Sequence, residues 1–121
     1  MALRLSSAQH SQLTFLEALP PKFARWHSVI EQMGGGSVDE SLVRRMIRTL
    51  DEVKSGASQL RLNGLADAVS QMASTARRGG GAQVKVRMLQ DNLASVRMNY
   101  ESALKKASIV EAPASEEGPT Q

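Results

Sequence analysis

The chain contains no cysteine. Disulfide bridges, thiolate metal sites and cysteine nucleophiles are therefore excluded, and the composition fits a reducing compartment. Aromatic residues are nearly absent: Phe15, Phe23, Trp26 and Tyr100 are the whole set. A β-sandwich or barrel usually draws on more aromatic and β-branched side chains than this. No apolar run approaches the roughly 18 residues of a membrane-spanning helix. The opening stretch, MALRLSSAQH, lacks the continuous apolar core of a secretory signal. The expectation is a cytoplasmic protein with no membrane partner.

Alanine-rich runs interspersed with leucine, methionine, arginine and glutamine favour helix. At 121 residues the chain suits one domain with a single core. Charge is unevenly placed. All fifteen basic residues and nine of the acids lie within 1–110, a net +6, while Glu111, Glu116 and Glu117 make the tail −3. A modestly basic surface attracts acidic proteins or nucleic acid. Here the cations are dispersed and no aromatic is interleaved for base stacking, which argues against nucleic acid.

The apolar pattern has a helical period throughout. A first helix is predicted over about 7–19, interrupted at Pro20–Pro21, where proline suits the first turn of a new helix. The second, KFARWHSVIEQM, aligns Phe23, Trp26, Ile30 and Met33. GGGS at Gly34–Ser37 releases the chain, and Ser37 or Asp39 is placed to cap the third helix. The stripe of that helix is Val43, Met46, Leu50, Val53, Ala57 and Leu60. RLNG at Arg61–Gly64 interrupts or bends it, and Leu62, Leu65, Val69, Met72 and Ala76 form the next. RRGGG is a helix stop: arginine suits the negative end, and glycine permits a left-handed exit. The last stripe runs Val86, Leu89, Leu93, Val96, Tyr100, Ala103, Ala107. The tail has little to bury and is expected to be disordered. The pattern predicts an all-α, antiparallel up-down four-helix bundle with a short extra N-terminal helix across one end. Its boundaries are 1–110 for the bundle domain and 111–121 for the tail.

Most chemical sites are absent from the pattern. His10 and His27 have no ligand spacing, so no metal is expected. The two Gly-rich runs lack a phosphate-loop pattern and follow no predicted strand. Asp51 and Glu52 are adjacent and diverge around a helix, unlike a catalytic carboxylate pair. No enzyme activity and no cofactor are expected.

The stretch LDEVKSGASQLRLNGL, residues 50–65, is more informative. Counting from Asp51, Lys54 lies at +3, Ser55 and Gly56 at +4 and +5, Ala57 at +6, with Leu60, Leu62 and Leu65 further on. This resembles the histidine-containing phosphotransfer (HPt) domain, whose active helix reads approximately His-x-x-Lys-Gly-x-Ala followed by apolar residues. Lys54 falls on the family lysine and Ala57 on its small core residue. Ser55 stands where the family usually has glycine, with Gly56 displaced by one, and Asp51 occupies the phosphoacceptor position. FLEALPPKFARWHSVIEQM and VRMLQDNLASVRMNYESAL extend the resemblance over about residues 8–107. In that family an exposed histidine exchanges phosphoryl groups with an aspartate on a receiver domain. An aspartate imitates the charge, though not the size, of a phosphorylated site; it would form an acyl phosphate only in a Mg²⁺- and acid-rich pocket or a comparable electrostatic setting, and the sequence shows none.

The resemblance implies a non-phosphorylatable HPt-like adaptor that binds a response-regulator receiver domain or a sensor histidine kinase and modulates two-component signalling. Helical geometry independently places Arg44, Arg48, Asp51, Lys54, Ser55 and Ser58 beside the buried stripe as a partner-binding face. Lys54 is spaced to pair with Asp51. Small side chains at Ser55 and Gly56 leave room for close approach. Two other readings stand: a structural or chaperone-like bundle that binds a partner helix, and a phosphotransfer protein using His10 or His27.

Overall fold

The computed structural model describes residues 6–36, 39–78 and 81–109 and contains five helices in that span: α1 (Ser7–Glu17), α2 (Pro20–Gly34), α3 (Glu40–Gln59), α4 (Asn63–Arg77) and α5 (Ala82–Ala107). The four long helices run alternately up and down around one core, and α1 packs against the end where α5 finishes and α3 turns into α4. The predicted all-α bundle is the observed one. The tail at 111–121 and the alternative cap Ser37 lie outside the described residues.

Local chemistry explains each boundary. Ser6 opens α1 with a capping box: its Oγ accepts from the Gln9 amide at 3.1 Å, and Gln9 Oε1 accepts from the Ser6 amide at 2.9 Å. Leu19 then links α1 to α2, with Pro20 and Pro21 in the first turn where no amide is needed. Asp39 caps α3 by accepting from the Ser41 amide and hydroxyl, each at 2.8 Å.

The α3–α4 turn is a Schellman motif. Arg61 adopts a left-handed φ of 62°; its amide donates to Ser58 O at 3.1 Å and the Leu62 amide donates to Ala57 O at 2.8 Å. Of the two outcomes for RLNG, interruption or bend, the chain takes the first: it reverses direction here.

The core joins the predicted stripes. Trp26, Ile30, Met46, Leu50, Val53, Leu65, Val69, Met72, Leu89 and Val96 are each no more than 2% exposed. Phe23 packs edge-on against Tyr100, ring centroids 5.2 Å apart, which locks α2 to α5. Helix α4 is buried on more than one side. Ala66, Ala68, Ala73 and Thr75 join its predicted stripe in the interior, and these small side chains let α3 and α5 approach closely. Among the described residues no helix is long and apolar enough to cross a membrane.

Candidate functional site

Five of the six residues assigned to the partner-binding face, Arg44, Arg48, Lys54, Ser55 and Ser58, are exposed, and Asp51 is half-buried. At about 100° per residue they span an arc of roughly 120° on the outer side of α3. Leu50 and Val53 turn the opposite way, into the core. Asp51 sits near the middle of the 20-residue helix.

The charges pair differently from the sequence expectation. Asp51 is engaged by Arg77 at the end of α4, whose guanidinium donates to Asp51 Oδ2. The pair is about half exposed, 44% for Asp51 and 51% for Arg77. Lys54 has no carboxylate within ion-pair distance among the described residues. Arg77 reaches Asp51 from the end of a neighbouring helix, a contact that the spacing of residues along α3 does not reveal. Arg44 lies 3.9 Å from Glu40, one turn earlier on the same helix. The face is therefore mixed: an Asp51–Arg77 pair flanked by Arg48 and Lys54.

Gly56 also departs from the expectation. It leaves room for the chain's own first helix, not for a partner. A Cβ there would stand 2.5 Å from Phe15 Cε1, so the bare backbone is the seat of α1. Ser55, one residue earlier, stays exposed and open to an incoming surface.

Arg77 was legible only as a helix stop signal, because an apolar stripe does not say which residue of the neighbouring helix a surface side chain reaches. The two histidines are separate and exposed: His10 is on α1, and His27 on α2 lies 3.8 Å from Glu31.

Fold and surface together define the class: an all-α, up-down four-helix bundle, closed at one end by a short N-terminal helix, with a charged face on α3. The chain matches no protein-family model, no curated protein and no solved structure.

Proposed function

We propose that the chain is a phosphotransfer-like adaptor that carries no phosphate itself and docks a receiver domain or sensor kinase through the outer face of α3. The observation that supports this most is the position of Asp51: midway along an exposed helix face, engaged by Arg77, and flanked by Arg48, Lys54 and the small Ser55. An aspartate held by a guanidinium is a poor nucleophile, because the cation stabilises the carboxylate and draws charge from the attacking oxygen. The same pairing offsets the charge of Asp51, so the face offers a partner a neutralised centre with basic flanks. Such a surface suits acidic or mixed-charge proteins and loses attraction as salt rises.

The test has two arms. Incubation with an autophosphorylated histidine kinase, and with a phosphorylated receiver, is expected to leave no stable label on the protein; label lost on replacing His10 or His27 would establish the active-carrier alternative. In the second arm, amide shifts on adding a receiver or kinase domain are expected on Arg48, Lys54 and Ser55. Ser55→Trp is expected to block binding with the fold intact. Shifts that leave Arg48, Lys54 and Ser55 unmoved and fall elsewhere on the bundle would refute the docking face.

A further inference from the structure

A second surface lies about 160° around α3 from Asp51. Among the neighbouring long helices, α2 and α3 pack least closely, and the opening between them is a groove of about 200 Å³. Trp26 and Val29 of α2 with Leu42 and Met46 of α3 form its floor, and Lys22, Arg25 and Arg45 stand at its rim. Trp26 Nε1 donates to Thr49 Oγ1 at 2.8 Å, and Thr49 Oγ1 donates to Met46 O at 2.9 Å, which fixes the indole as part of the wall. No acidic side chain among the described residues lines the groove. Among the described residues, none of its three cations has a carboxylate within ion-pair distance.

The spacing of those cations identifies what fits. Because Trp26 is level with Thr49 and the helices are antiparallel, Arg45 is level with approximately residue 30 of α2. Lys22, Arg25 and Arg45 are therefore staggered over about 12 Å along the groove. A ligand with a single carboxylate meets one of them and leaves the others unpaired. Carboxylates at i, i+3 or i+4, and i+7 of a helix span about 10.5 Å and meet all three. An open trough with an apolar floor accepts the anchoring side chains of such a helix, which project at the same spacing.

The geometry points to the α2–α3 groove as a docking site for an acidic amphipathic helix of a partner protein, separate from the outer face of α3. The helix lays leucine-like side chains over Trp26, Val29, Leu42 and Met46 and sets its carboxylates against Lys22, Arg25 and Arg45. Binding is expected to be salt-sensitive, since the rim cations are solvent-accessible.

Two synthetic peptides of about sixteen residues test this on the full chain. Both carry leucine at i, i+3, i+4 and i+7; one is flanked by glutamate and the other by lysine. The glutamate peptide is expected to bind, shifting the Trp26 indole N–H and its fluorescence, and the lysine peptide is not. The double variant Arg25→Glu/Arg45→Glu alters solvent-accessible positions only, and an unchanged thermal melt verifies its fold. It is expected to weaken the glutamate peptide by about tenfold or more and to gain affinity for the lysine peptide. Equal binding of the two peptides, no response at Trp26, or shifts centred on Lys54 and Ser55 would each overturn the proposal. So would tighter binding at Trp26 by decanoate, an amphiphile with one carboxylate, than by the glutamate peptide.

Discussion

Arg61 holds a backbone conformation that costs a side-chain-bearing residue about 1–2 kcal/mol, and its exposed side chain makes no hydrogen bond or ion pair among the described residues that would offset it. Arg61→Gly is therefore expected to stabilise the protein by roughly 1 kcal/mol, tempered by glycine's extra freedom in the unfolded chain. Urea denaturation with unchanged slope and a raised midpoint is the measurement; a lowered midpoint would show that the arginine has a role in the fold. Gly56 presents the reverse case. Replacing a helical glycine by alanine gains up to about 0.5–1 kcal/mol where there is room, but at Gly56, in the last turn of α3, the Phe15 ring occupies that room. Gly56→Ala alone is expected to gain little or to destabilise, whereas in a Phe15→Ala background the same change is expected to gain the full amount. The difference between backgrounds, read from a double-mutant cycle, measures how firmly α1 is seated. Equal effects in both would remove Phe15 from the account.

At the scale of elements, α3 begins on Asp39, whose carboxyl is held below the ordinary aspartate range, first by the backbone hydrogen bond from Ser41 and then by that residue's hydroxyl. A carboxyl whose folded pKa is lowered contributes stability that is complete above its unfolded pKa and is lost as pH falls through the folded value. Thermal melts of the protein and of Asp39→Ala from about pH 7 to pH 2 are expected to differ most near neutrality and to converge in acid. A gap that persists at the acid end would mean that the cap acts without its charge. The five helices themselves were readable because 3.6-residue periodicity records burial directly. What escaped was set by contacts between helices. RLNG reads as an interruption or bend, but the residue that makes the turn is the left-handed Arg61, and Gly64 sits inside α4, where a Cβ would come within 2.8 Å of Asn99 Oδ1. Glycine at positions 56 and 64 answers to packing, and a single stripe does not reveal the neighbour. The same holds for the candidate site: helical phase placed its six residues on one face of α3, but the partner of Asp51 and the occupant of the space at Gly56 came from α4 and α1.

For the molecule as a whole, the helices do not share the core equally, and this sets the order in which they open. Helix α4 lies between α3 and α5 and buries eight of its residues, including Leu65, Val69 and Met72. Helix α1 touches the bundle at one end through the Phe15–Gly56 contact, a Gln9 Nε2 bond to Ile109 O at 2.6 Å and a Gln12 Nε2 bond to Leu60 O at 2.9 Å. Isolated helices of α1's length are unstable in water, so its order depends on those anchors. Its release exposes Leu16 and the partly buried Leu13 and Phe15, while release of α4 dismantles the core shared by its neighbours. Local opening of α1 is thus expected to lie well below the global unfolding free energy, and opening of α4 to coincide with it. Native-state hydrogen exchange is the measurement. Amides of residues 11–17 are expected to exchange through local opening insensitive to dilute denaturant, and those of 65–73 only through global unfolding. Gln12→Ala is expected to speed exchange in α1 and leave α4 unchanged. If α1 and α4 instead exchanged together under all conditions, the short helix would be an integral part of the cooperative core and not a cover laid over its end.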